Sequence, residues 1–166
     1  MRSKISKAFL TLSAVVMMLS VFGQSVIAQD ANSAASPLEG TWQVTVTLLN
    51  CQTGNPLGPP PFASILTFAR GGTLAEDTTN PSFAAGQRSP GQGVWETTSH
   101  DVFHARSVAF INFSTAALQQ GQQFVDQTIT YYDQSDQWSA VATIKFTNTA
   151  GTVYRQGCAT ATAMRF

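Results

Sequence analysis

A chain of 166 residues, 43% of them hydrophobic, has room for one domain with a sizeable buried core. Charged side chains make up only 11% of it, with nine basic residues against nine acidic ones. After the first seven positions the basic residues form no cluster, which excludes the electrostatic footprint of a nucleic-acid-binding protein.

In chain order, Arg2, Lys4 and Lys7 form a basic head, and Ala8 to Phe22 is a mostly apolar core without charge. Val26-Ile27-Ala28 then offers the small residues of a cleavage site before Gln29, so residues 1–28 match a secretory signal peptide. The rival reading, an uncleaved anchor, is opposed by Thr11, Ser13, Ser20, Gln24 and Ser25, which dilute the run, and by an apolar core short for a span. Removal of the segment takes three basic residues with it and leaves six against nine acidic ones, a net of −3. The expected product is secreted or periplasmic, has no affinity for an anionic membrane after cleavage, and has no lipid-anchoring cysteine at the cut.

Residues 29–37, QDANSAASP, are small and polar and form a flexible lead-in to a domain over 38–166. Gly40 to Cys51 is the first strand: Trp42, Val44, Val46 and Leu48 alternate with Thr41, Gln43, Thr45 and Thr47, a period of two. A loop with three consecutive prolines follows, and prolines cannot sit inside a sheet. Phe62 to Ala69 is a second strand, Arg70-Gly71-Gly72 a hairpin turn, and Thr73 to Thr78 a third strand. Asn80 to Gly93 lacks apolar periodicity and delivers the chain to a short fourth strand at Val94-Trp95-Glu96. Val102 to Ser114 is the fifth strand, with Phe103, Ala105, Ala109, Ile111 and Phe113 sharing a face. Thr115 to Gln122 is polar and is assigned as a loop. Gln123 to Tyr132, Gln137 to Thr147 and Thr152 to Arg165 complete the set as strands six to eight.

Eight strands with short turns and no helix between them predict an all-β, eight-stranded antiparallel up-and-down barrel, because an open meander would leave two exposed edges. Cys51 and Cys158 are the only cysteines, and in an exported chain they predict one disulfide that ties the first strand to the last. If the two lie opposite each other, Val44 faces Arg165, Val46 faces Ala163 and Leu48 faces Ala161, all with Trp42 on the inner face. Arg165 then lies beside Trp42, where a guanidinium stacks on an indole.

Gly40-Thr41-Trp42 opening the first strand, with Arg165 on the last, resembles the lipocalin and calycin pattern, in which a Trp–Arg pair plugs the closed end of an eight-stranded cup. The resemblance carries over Gly40, Trp42 and Arg165 alone, and implies binding of a small apolar molecule in the open end. The chain departs from lipocalins in lacking a Thr-Asp-Tyr segment and a helix packed on the barrel. CQTGNPL, SPGQGVWE and GCATATAMRF also resemble an uncharacterised type of exported bacterial domain. The GTW opening and Trp138-Ser139 are similar to streptavidin, but the residues that would cradle a urea ring have no counterpart, so biotin is not implied.

The candidate ligand-binding residues of the barrel interior are Trp42, Phe68, Trp95, Glu96, Arg106, Trp138 and Arg165. Glu96, Arg106 and Asp126 are candidates for polar groups facing the cavity. The aromatic stripe, which also includes Phe62 and Phe146, fits core filling better than a cofactor box. His100, Asp101 and His104, with Glu96 before them, could ligate a metal only if the chain bent sharply, because residues four apart on a strand sit ~13 Å apart. No nucleophile elbow or phosphate loop appears, and no metal or cofactor is expected. A non-catalytic carrier is the first reading. Its alternatives are a cyclase or isomerase acting in the cup, as in the similar barrels of allene oxide cyclases, and a barrel-type inhibitor or interaction module. The sequence leaves oligomeric state open.

Overall fold

The structure, a computed structural model, describes residues 35–166, so the signal-peptide segment and most of the lead-in lie outside the described residues. Eight strands follow one another: Gly40–Leu49 (β1), Phe62–Ala69 (β2), Thr73–Thr78 (β3), Gly91–Ser99 (β4), Val102–Ile111 (β5), Gly121–Tyr132 (β6), Gln137–Asn148 (β7) and Val153–Arg165 (β8). Each pairs antiparallel with its sequence neighbours, and β8 returns to β1 to close the barrel. Closure satisfies the backbone groups that two free edges would have exposed.

The predicted register between β1 and β8 is corrected by two residues. Trp42 pairs with Arg165, Val44 with Ala163, Val46 with Ala161 and Leu48 with Ala159. The reason is that Cys51 lies past the end of β1. The turn from Asn50 to Gly54, closed by Gly54 N donating to Asn50 O at 2.8 Å, brings Cys51 back toward β8. The disulfide to Cys158 therefore forms with a Cα–Cα distance of 5.2 Å, although Cys158 itself pairs with Leu49. A shift of two preserves side-chain parity, so every face assignment on these strands stands. In the chain-entropy view a loop of this length is worth up to about 5 kcal/mol.

β4 is longer than the sequence suggests. Gly91 and Gly93 continue it backwards, pairing with Glu76 and Leu74 on one side, and Gly93 also with Ser107 on the other. At Gly93 a Cβ would collide with the carbonyl oxygen of Arg106, so what resembles loop composition is a strand position without room for a side chain. Phe113, expected on the inner face, lies beyond β5 and is exposed.

Inside, the barrel is filled from one end. Tyr131, Trp42, Trp138, Phe68, Trp95 and Phe103 form a chain of rings with centroids 5.9–6.2 Å apart and interplanar angles of 62–84°. These edge-to-face contacts add to the burial of the rings themselves. Ala140, Ala161 and Ala163 belong to the same cluster and supply the small surfaces that the indoles need. A second cluster of Ile111, Leu118 and Phe146 sits toward the other end, Leu118 being a buried residue of the loop after β5.

Arg165 shuts the filled end. Its guanidinium lies 4.3 Å from the centre of the Trp42 ring and donates to Asp136 through Nε (2.7 Å) and Nη2 (3.0 Å). Nη1 donates to the carbonyl of Glu39 and Nη2 to that of Pro37, each at 2.8 Å. The end of the polar lead-in is thus held in a turn against the barrel, with Leu38 fully buried and its carbonyl accepting from Trp42 Nε1 at 2.9 Å. Gly40, at φ 126°, is required here because a Cβ would stand 2.6 Å from Arg165 Nη1.

Arg165, with Tyr131 Oη donating to Oδ1 at 2.9 Å, holds the Asp136 carboxyl below its ordinary pKa. A carboxylate depressed in the folded state stabilises the fold above its unfolded pKa, and that stability is lost as pH falls through the folded value. The stability contributed by this group is expected to decline as pH drops below about 3.8. Asp136→Asn should flatten that part of the acid-unfolding profile and lower stability at neutral pH, as followed by tryptophan fluorescence.

Candidate ligand-binding site

The end opposite Arg165 is open. The loop 79–90 lies across it and is fastened to the far end of β5. Ser89 N donates to Phe110 O, Asn112 N donates to Gln87 O, and Arg88 bridges to Ile111, whose side chain points inward. Gln87, fully buried, secures the loop further: its Oε1 accepts from Ala84 N, and its Nε2 donates to Phe113 O and Thr115 Oγ1. Because Arg88 sits opposite an inward residue, it too enters the barrel, where its side chain is 4% exposed.

Inside, Arg88 Nη2 donates to Glu76 Oε1 at 2.9 Å, and Arg88 Nε donates to the buried Gln123 through Oε1. Ser107 Oγ donates to the second Glu76 oxygen at 3.0 Å. A charge pair this deep is tolerable only because both members are also hydrogen-bonded. Gly91 is what makes the room: a Cβ there would lie 2.8 Å from Glu76 Oε2 and 3.4 Å from Arg88 Nη2.

Above the aromatic layer this cluster borders a cleft of about 60 Å³, walled by Val44, Val46, Leu66, Ile144, Ala159 and Ala161. A single buried water needs roughly 10–15 Å³, so the cleft has space for a small group of atoms. A wider mouth of about 350 Å³ follows, lined by Leu48, Leu57, Phe83, Leu118 and Phe146 and rimmed by Cys51 and Cys158. Leu48, Asn80, Phe83, Gln123 and Ile144 border both spaces, so the two adjoin as a funnel, wide at the mouth and narrow inside.

The residues singled out from the sequence lie elsewhere. Trp42, Phe68, Trp95 and Trp138 are interior but pack below the cleft, and Arg165 caps the shut end. The inward placement of Glu96, Arg106 and Asp126 is corrected: all three are exposed on the outer face. Strand alternation decides it, since Trp95 takes the inner side beside Glu96, and Ala105 and Ser107 take it on either side of Arg106. Phe62 lines the cleft and Phe146 the mouth, apart from the aromatic layer. Glu76, Arg88, Gln123 and Gln127 escaped sequence reasoning. Parity with Leu74 and with Ile129 could have placed Glu76 and the two glutamines inside; nothing local marks Arg88.

The histidines do not converge. The His100 side chain is 95% exposed and pairs with the neighbouring Asp101. His104 lies outside the barrel between Asp126, 2.9 Å from Nε2, and Glu96, 3.5 Å from Nδ1. No group of three metal-ligating side chains occurs among the described residues. No family model matches this chain, and no curated protein is significantly similar to it in sequence.

Gly91→Ala should cost about 1–3 kcal/mol in urea unfolding, because Glu76 is pinned by Ser107 and Arg88 and cannot yield. The hydrogen bond to Asp126 raises the pKa of His104 above 6.5. Its contribution to stability is then present below the unfolded value and lost as pH rises through the folded one. An NMR titration should show His104 titrating above 6.5, and Asp126→Asn should bring it down.

Proposed function

We propose that this chain is an exported, calycin-like binding barrel that takes up a small, largely apolar molecule through its open end. The observation that carries the reading is the funnel: a mouth of about 350 Å³, within the usual range of ligand pockets, lined by leucine, phenylalanine and isoleucine together with Arg155 and several amide side chains, and adjoining a narrower cleft. The Cys51–Cys158 bond supports an oxidising compartment, as does the charge and hydropathy pattern of residues 1–28. The bond also stabilises the rim, since both cysteines border the mouth.

Glu76, the one carboxylate among the described residues that line the cleft, already accepts from Arg88 and Ser107, an arrangement suited to structure and polarity more than to proton abstraction. Binding without reaction is therefore the reading the geometry favours. N-phenyl-1-naphthylamine, a neutral apolar fluorophore, is expected to brighten on addition to the oxidised protein. Leu118→Asp and Phe83→Asp, which place charge in the mouth, should each weaken its binding at least tenfold. An unaltered affinity in both variants, with circular dichroism unchanged, would move the site away from the funnel.

A further inference from the structure

The inner cleft carries more polarity than an apolar passenger requires. Gln127 lines it with its side chain directed inward from β6, at 7% exposure. Its amide has no protein hydrogen-bond partner among the described residues, and its polar atoms stay open to the space of the cleft, where a ligand or water can pair with them. Gln123, at 6% exposure, spends its oxygen on Arg88 and keeps its amino group available. The two ionised groups beside them, Glu76 and Arg88, neutralise each other. We propose, building on the reading of the funnel as a binding site, that this cleft receives the uncharged, hydrogen-bonding head of an elongated amphiphile, of the primary carboxamide class.

Three features of the cleft select that chemistry. A carboxamide carbonyl accepts from the amino group of Gln127 or Gln123, and its NH₂ donates to the Gln127 oxygen, so both halves of the free amide are used. A carboxylate or ammonium head would be buried with no counter-charge, because drawing Arg88 or Glu76 away leaves the other charge stranded. The volumes set the orientation: about 60 Å³ accepts a small head and little else, so the apolar body must occupy the 350 Å³ mouth.

Displacement of N-phenyl-1-naphthylamine from the oxidised protein by octanamide, octanoate and octylamine tests this. Octanamide should displace the fluorophore at a concentration at least tenfold below the other two. Gln127→Leu should reduce that preference to less than threefold, each displacement being referred to the fluorophore affinity measured for the same variant. In the unaltered protein, the side-chain amide protons of Gln127 should shift on addition of octanamide, a measurement that does not depend on the variant folding. Equal or stronger displacement by octanoate or octylamine, or unmoved Gln127 resonances, overturns the head-group assignment while the funnel remains a binding site. If the fluorophore and all three amphiphiles fail to bind, the funnel reading falls and this inference with it.

Discussion

The ladder between β1 and β8 is the constraint on which the rest depends. Running from Trp42 opposite Arg165 to Leu49 opposite Cys158, it turns a meander into a sheet without edges. It is reinforced at both ends by different chemistry. At one end the disulfide reaches from the turn after β1 to β8, and at the other the Arg165 guanidinium joins the Trp42 ring, Asp136 and the carbonyls of Pro37 and Glu39. A guanidinium suits the second task because one planar group can stack on an indole and donate in several directions at once.

Closure divides the interior into two environments. Near Arg165 the inward positions are large and aromatic, and alanines on β7 and β8 give way to them. Farther along the same strands, Ala142 and Ala159 line a cleft with Val46 and Ile144, where no indole reaches. The filled half supplies rigidity through apolar burial. The open half is where polar residues can be afforded, and the Glu76–Arg88 pair with its glutamines occupies it. The placement of Arg88 depends on a loop, 79–90, that is held to β5 by backbone hydrogen bonds and by the buried Gln87.

The strands were legible because period-two patterning over eight to thirteen residues has one physical meaning, a sheet with a wet face and a dry one. Where the pattern was interrupted by glycine, at 91 and 93, composition pointed to a loop. Only the approach of Glu76 and of the Arg106 carbonyl shows why a strand has no side chain there. The chemistry of Glu96 and Arg106 suggests a place facing a cavity, whereas alternation from Trp95 and Ala105 puts them outside. The register expected from the cysteines is offset by two because Cys51 belongs to the turn after β1 and not to the strand.

From its sequence alone, this protein is an eight-stranded antiparallel barrel with its first and last strands joined by sulfur and a tryptophan covered by an arginine. Those features are local in pattern or unique in partner: each strand shows its own alternation, and two cysteines allow one pairing. What only the tertiary structure decided is the site. Glu76 comes from β3, Arg88 from a loop, Ser107 from β5 and Gln123 with Gln127 from β6. No spacing along the chain encodes their meeting, because it arises from the curvature of a closed sheet and from one glycine that leaves space for it.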